Sequence, residues 1–368
     1  MSIDDNAAPV AGFSSPSGGI DLSANTNACG ASPAAVAALA RAASGLHLYP
    51  ARFCEPLTRC LARKFELAEE QVLCANGASA IIEFLLRDLP LGAMALWPWP
   101  SFVLYEICAK QLGRDIVVAS HRDWHTDIDA LLRSCTPTVK LILIANPNNP
   151  TGTWLKPLEI ERLLKRIPRD VLVAVDEAYQ EFVVTDEDTS CRSLIERYDN
   201  LVIIRSFSKA YGLAGLRIGY ALGAAERIAK LRRHCLPFQV SSLAQEAACA
   251  ALDDEAHLER SRRENAIERA RVSSVLGQLG VAVPPSQANF VFLPLSAELV
   301  KDVERLAAAH RLLLGRLLPY GLDSALRVSI GSAPDNDRFL TVIARALQIA
   351  KNAALCSSSP SPEARQPS

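Results

Sequence analysis

Three short apolar runs, Leu141 to Ala145, Val171 to Val175 and Leu201 to Arg205, each end abruptly in a cluster of polar side chains. Runs of this length without polar alternation read as strands buried on both faces, and such strands belong to parallel sheets covered by helices. The first run leads into Asn146-Pro147-Asn148-Asn149-Pro150-Thr151-Gly152. The second leads into Asp176-Glu177-Ala178-Tyr179, and the third into Ser206-Phe207-Ser208-Lys209, with Arg217 eight residues further on. Ligands of open α/β sheets bind beyond the carboxyl ends of the strands. One rim therefore receives an amine, two hydroxyls, a guanidinium, a carboxylate, a phenol and an amide.

That set suits pyridoxal 5′-phosphate (PLP). The cofactor needs an amine that can form and release a Schiff base, and Lys209 supplies it. A carboxylate against the ring nitrogen favours its protonated form, a role for Asp176. Asn149 and Tyr179 can donate to the ring 3′-oxygen, while Ser206, Ser208 and Arg217 offer the phosphate hydroxyls and a fork of charge. Further upstream, Gln71 to Cys74 reads as a strand, and Ala75-Asn76-Gly77-Ala78-Ser79 turns the chain into an apolar helix. The free amides at such a helix start, at Ala78 and Ser79, form an anion site that glycine lets the backbone approach. Taken one at a time, Asn149 reads as turn chemistry and the serines as caps, and Asp176 has a helix cap as its alternative, although a cap leaves an apolar strand ending in Asp-Glu-Ala-Tyr unexplained; the convergence of all of them carries the cofactor reading.

The 368 residues suffice for two domains sharing a large core. A net charge of −1 leaves no electrostatic footprint for nucleic acid. No apolar stretch approaches the roughly 20 residues a membrane span needs. The amino terminus lacks a basic segment followed by an apolar one, and ten cysteines are scattered without metal-type spacing. They read as reduced thiols of a cytoplasmic protein with no metal site. Residues 1–20 read as a flexible arm, 21–45 as an amino-terminal strip joining the small domain, and 46–254 as a large PLP-binding domain. A small α+β domain is expected over 255–355 and a disordered tail over 356–368. Within the small domain, Leu258, Ile267, Ala270, Val275 and Leu279 fall at helical spacing, strands are expected at 289–293 and 326–330, and helices around 297–310 and 334–351.

The strand-end segments, together with Ser-Leu-Ala-Gln at 242–245, Tyr-Gly-Leu at 320–322 and Leu-Arg-Val-Ser-Ile-Gly at 326–331, resemble fold-type-I PLP enzymes of the aspartate aminotransferase superfamily. Within it the histidinol-phosphate aminotransferase branch is the most similar, and the likeness runs from about Asp21 to Leu347. The resemblance implies an α/β fold with a mostly parallel sheet sandwiched by helices, and a homodimer with shared active sites. It implies that Tyr49 reaches the phosphate of the neighbouring subunit's cofactor, that Phe102 stacks on the pyridine ring, and that Arg327 grips the acidic end of the substrate. Asn25 and Asn27 fall in the strip that helps close the pocket.

The chain departs from the branch at three places. The strip reads Asn25-Thr26-Asn27-Ala28 where Asn-Glu-Asn-Pro is usual, and the helix start reads Ala75-Asn76-Gly77-Ala78-Ser79-Ala80 where Gly-Asn-Gly-Ser-Asp-Glu is usual. Gly315-Arg316 stands one position out of step with the usual Arg-Pro pair. Arg316 is thus a second candidate for the substrate's acidic end, and its offset could turn it away from the pocket. The implied activity is a transaminase exchanging an amino group between glutamate or 2-oxoglutarate and a small acidic or phosphorylated partner. A threonine-phosphate-type decarboxylase and an aromatic or specialised amino-acid aminotransferase are the alternatives. A PLP-binding regulator lacks support, because no basic DNA-binding segment precedes Asp21 and Lys209 is retained.

Overall fold

The computed structural model describes residues 19–185 and 189–357. All but the last two residues of the expected amino-terminal arm, and the tail beyond Ser357, lie outside the described residues. The strands are β1 (Ile20–Leu22), β2 (Val72–Ala75), β3 (Met94–Trp99), β4 (Ile116–Arg122), β5 (His125–Thr126) and β6 (Val139–Ala145). They continue with β7 (Leu172–Asp176), β8 (Leu201–Ser206), β9 (Gly219–Gly223), β10 (Phe290–Pro294), β11 (Leu312–Leu317) and β12 (Leu322–Ser329). The helices are α1 (Pro33–Ala42), α2 (Glu55–Phe65), α3 (Ala78–Arg87), α4 (Leu104–Gln111), α5 (Ile128–Ser134) and α6 (Pro157–Arg166). After these come α7 (Ala225–Arg232), α8 (Ser242–Asp253), α9 (Glu255–Gln278), α10 (Ala297–Ala309) and α11 (Ala333–Ser357).

Eight strands form the large sheet, in the order β2-β9-β8-β7-β6-β3-β4-β5. Neighbours from β4 through β8 run parallel, and β9 is antiparallel to both β8 and β2. The apolar runs at its centre face two cores in strict alternation. Ile142, Ile144, Val173, Val175, Leu201 and Ile203 pack with α2, α5, α6 and α8. Leu141, Leu143, Ala174, Val202 and Ile204 pack on the other face with α3, α4 and α7. Each fully buried aliphatic contributes about 1.5–3 kcal/mol of transfer free energy, so this double burial fixes the strands firmly.

The small sheet has the order β1-β11-β12-β10. Its core collects Val291, Leu326 and Val328 against Val303 of α10, Phe339 and Ile343 of α11 and Leu276 of α9. Strand β11 has no counterpart in the sequence reading, and α11 continues through Cys356 and Ser357, past the expected start of the tail. The long helix α9 lies where expected, and three of its five expected apolar positions, Leu258, Val275 and Leu279, pack against the cores. His257, Ser261, Asn265, Arg269, Val272 and Leu276 are buried, while Ile267 and Ala270 are exposed. Its middle meets polar loop backbone: Arg269 donates to the carbonyls of Phe182 and Ala288, and Asn265 to that of Ala288.

Beneath the rim of the large sheet, Arg205 donates to Glu177 Oε2 (2.8 Å) and Glu181 Oε1 (2.9 Å), with all three side chains buried. This ties the end of β8 to the loop after β7. Removing one member of such a pair strands charge in a low dielectric. Arg205→Met is expected to lower stability by about 3–5 kcal/mol, read as a fall in the urea midpoint with an unchanged slope.

Candidate active site

Strand register assembles the site. Ala145 pairs with Asp176, and Asp176 with Ile204. The segments after β6, β7 and β8 therefore leave the sheet level with one another. On the next strand Gly219 pairs with both Ser206 and Ala75. A Cβ at Gly219 would lie 2.5 Å from the Ala78 nitrogen, and one at Gly77, whose φ is +81°, would lie 2.7 Å from Arg217 Nη2. Only glycine at these two positions lets the start of α3 close on the end of β8.

The result is a cavity of about 370 Å³. Lining it are Asn25, Ala78, Ser79, Phe102, Asn149, Asp176, Tyr179, Ser206, Ser208, Lys209, Arg217 and Arg327. One wall is an anion cup. The Ala78 and Ser79 amides open α3 ahead of any helical acceptor, the Ala80 amide donating to the Gly77 carbonyl at 3.2 Å; Ser206 Oγ accepts from the Ser208 amide at 3.1 Å, and Arg217 Nη1 donates to Ser208 Oγ at 3.3 Å. On the floor is Asp176, only 4% exposed. Burial pushes its carboxyl up to about 6, against the opposing pull of the Tyr105 hydroxyl and the Ala178 amide, which donate to it at 3.2 Å each.

Opposite the floor, Lys209 Nζ donates to the carbonyls of Ala24 (3.1 Å) and Asn25 (3.2 Å). Burial, reinforced by the Arg327 and Arg217 guanidinium groups, brings this amine down to about 7. Tyr179 is pushed up to about 12, chiefly by burial, and its hydroxyl accepts from Asn25 Nδ2 at 3.0 Å. Arg327 donates to Asn149 Oδ1 (2.6 Å) and to the Ser23 carbonyl (2.7 Å), while the Tyr320 hydroxyl donates to the same Asn149 oxygen at 3.3 Å. With both donors on its oxygen, the Asn149 amide presents its NH₂ on the other side.

Three residues named from the sequence stand outside the cavity. Arg316 is corrected by strand geometry: Gly315 pairs with Arg327 and Arg316 with Leu326, so Arg316 faces the opposite side of the small sheet. There it meets Glu304 of α10 at 2.6 Å. Tyr49 is 85% exposed, with its ring 5.3 Å from that of Phe238, and does not line the cavity of its own chain. Asn27 reaches Ala210 O and Ser261 Oγ rather than the cavity. The sequence reading does not reach Tyr105, Tyr320 or Asn289. Tyr105 lies three residues past Phe102, and Tyr320 opens the Tyr-Gly-Leu segment; these were the available signals.

The sequence profile of the family Aminotransferase class I and II matches residues 17–343. The chain belongs to that family. Among its relatives is a histidinol-phosphate aminotransferase of Anaeromyxobacter sp. (strain Fw109-5), 38% identical over 89% of this chain and 90% of that protein. An aromatic amino acid aminotransferase of Mycobacteroides abscessus is 37% identical over 88% and 92% of the two chains. Among solved structures, histidinol-phosphate aminotransferase from Sinorhizobium meliloti in complex with pyridoxal-5′-phosphate superposes with a TM-score of 0.82 at 26% identity, covering 90% of this chain and 91% of that one. The resemblance read from the strand-end segments and the fold class it implied both hold for this family.

The lowered ionisation of Lys209 has a measurable sign. Below pH 7 the amine is an ammonium ion and cannot attack a carbonyl; above it the amine is free. The rate at which cofactor-free protein takes up pyridoxal phosphate, followed by absorbance, should rise with pH and level off above about 7. An unperturbed lysine would keep rising toward about 10.4.

Proposed function

We propose that this chain is a PLP-dependent aminotransferase of the histidinol-phosphate type, exchanging an amino group between glutamate and a small phosphorylated keto compound. The convergence of a neutral-leaning amine, a buried carboxylate and an anion cup in one cavity carries the reading. The residues fit the cofactor. The glycine-lined cup with Ser206, Ser208 and Arg217 suits a phosphate, Phe102 a ring face, Asp176 a ring nitrogen, and Asn149 and Tyr179 a ring oxygen. When bound, PLP supplies an electron-withdrawing ring that loosens the proton on the carbon bearing the substrate's amino group.

The chain's own groups do the rest. Asp176 favours positive charge at the ring nitrogen. The free Lys209 amine would take the proton from that substrate carbon and carry it to the carbon on the far side of the amino nitrogen. Arg327 receives the substrate's acidic end through charge-assisted hydrogen bonds. Its place beside Asn149 lets substrate binding act on the same amide that faces the ring oxygen. Asn25, through its carbonyl and its bond to Tyr179, closes this end of the cavity.

A second reading has its own support. With Arg316 turned to Glu304, Arg327 is the cation that the strand pair β11–β12 directs at the cavity, and one guanidinium suffices for a carboxylate. That favours an aromatic amino-acid donor, the activity named for the Mycobacteroides relative. The decarboxylase reading has no such observation behind it.

The exposed surface supports the dimer reading. Tyr49, Leu46, Leu48, Leu236 and Phe238 are exposed, and the Phe238 amide donates to the Arg52 carbonyl, which brings the two segments together. An apolar patch of this kind marks an interface, here one with a second copy that receives Tyr49 at its phosphate cup. Among the described residues no helix is long and apolar enough to cross a membrane, and their cysteines are free thiols. Both fit a cytoplasmic enzyme.

Steady-state kinetics separate the two substrate readings. Arg327→Ala should cut kcat/KM by about 10²–10³, the cost of leaving a charge without its partner, while Arg316→Ala should stay within about twofold. Turnover of histidinol phosphate above that of phenylalanine and tyrosine supports the first reading, and the reverse order supports the second. Sedimentation at assay concentration should show a dimer, and Tyr49→Ala should weaken cofactor retention; an active monomer would overturn the interface.

A further inference from the structure

Tyr105 lies in the first turn of α4 and is wholly buried. Its hydroxyl donates to Asp176 Oδ2 at 3.2 Å, and the other carboxylate oxygen takes the Ala178 amide. Its ring meets that of Phe102 edge-on, with centroids 5.8 Å apart and planes at 80°, and lies 6.0 Å from Trp97. A phenylalanine would fill this space without bringing a hydroxyl that must find a partner. The hydroxyl finds it in the carboxylate that the cavity exposes to a ring nitrogen.

We propose that Tyr105 is a positioning residue for the cofactor ring: its hydroxyl fixes the Asp176 carboxylate, and its ring edge fixes the stacking face of Phe102. This rests on the aminotransferase reading above. The physical reason lies in what Asp176 must do while buried. An ionised carboxylate without donors is costly in a low dielectric and tends to take up a proton. Burial raises Asp176, Tyr105 and the Ala178 amide oppose that, Glu177 adds to the rise and Lys209 subtracts from it. Without the hydroxyl, the proton shared between Asp176 and the ring nitrogen moves toward the carboxylate, and the ring loses its positive charge. Tyr105 also couples two contacts that lie on different segments. Phe102 sits in the loop after β3 and Asp176 at the end of β7, and one rigid side chain touches both.

The test is Tyr105→Phe, loaded with pyridoxal phosphate and compared with wild type. A hydrogen bond to a charged group is worth about 1.5–3 kcal/mol, or about 10- to 100-fold. The variant should lose that factor in kcat with little change in KM for the amino donor, and should bind pyridoxal phosphate less tightly. The pH midpoint of the bound cofactor's visible band should move upward, because a ring without its charge holds the titrating proton more strongly. Tyr105→His, which keeps a ring N–H donor, should restore the midpoint part-way, and it serves as the reading if Tyr105→Phe does not fold. A variant with wild-type kcat and midpoint overturns the proposal. So does a lower thermal midpoint with an unmoved spectral midpoint, which would make Tyr105 packing alone, or a histidine variant no better than phenylalanine. Wild-type protein that binds no pyridoxal phosphate would sink the aminotransferase reading itself, a result separable from these.

Discussion

The level ends of β6, β7 and β8 are the constraint on which the site depends. Side chains on a strand alternate between faces, so a slip of one residue would exchange the two cores and turn Asp176 away from its neighbours. Register here is held from both sides at once, since Val173 and Val175 are buried with one helical layer and Ala174 with the other. The price of that certainty is a rim crowded with polar groups at the edge of an apolar interior. The buried pairing of Arg205 with Glu177 and Glu181 lies directly under the rim and joins the β7 and β8 ends by charge as well as by backbone.

Electrostatics in the cavity lean toward receiving anions. Arg217 at the cup and Arg327 at the far end both help to depress Lys209, and Asp176 is the carboxylate that lines the cavity with them. Burial acts in opposite directions on the two central groups: it neutralises the lysine by removing a proton and favours neutrality of the aspartate by adding one. Each is thereby brought close to neutral pH, where small changes in partner decide its state. That is the condition a proton-transferring site needs.

How much of this the sequence discloses depends on whether a residue's neighbours are local. The central strands are legible because both faces are buried and the text is continuously apolar. The anion cup is legible at Ser206, Ser208 and Arg217, which lie within one loop. Strand β11 is not, since Gly315 and Arg316 interrupt its apolar text; the glycine is required because a Cβ there would come 2.6 Å from the Arg327 carbonyl oxygen. The direction of Arg316 depends on pairing with a strand that follows it, and no local pattern fixes that. Likewise α9 carries Ile267 and Ala270 on its exposed side, while its buried side meets carbonyls at Asn265 and Arg269. Tyr105 reads as core aromatic from the sequence, and only the approach of β7 shows what its hydroxyl is for.

The amino-terminal strip connects the two halves of the molecule. Strand β1 joins the small sheet beside β11, in parallel from Ile20 opposite Leu312 to Leu22 opposite Leu314. The residues that follow then turn outward over the cavity. Ser23 offers its carbonyl to Arg327, while Ala24 and Asn25 offer theirs to Lys209. Asn289, at the entry to β10, holds the carbonyls of Asn25 and Thr26 from behind at 3.1 Å each. The small sheet thus presents a row of carbonyl dipoles to the amine on the large sheet. A shift of the strip would alter the surroundings of Lys209 and the support of Arg327 together. Arg327 and the Lys209 amine therefore share one support, three residues of strip backbone, rather than contacts through the core.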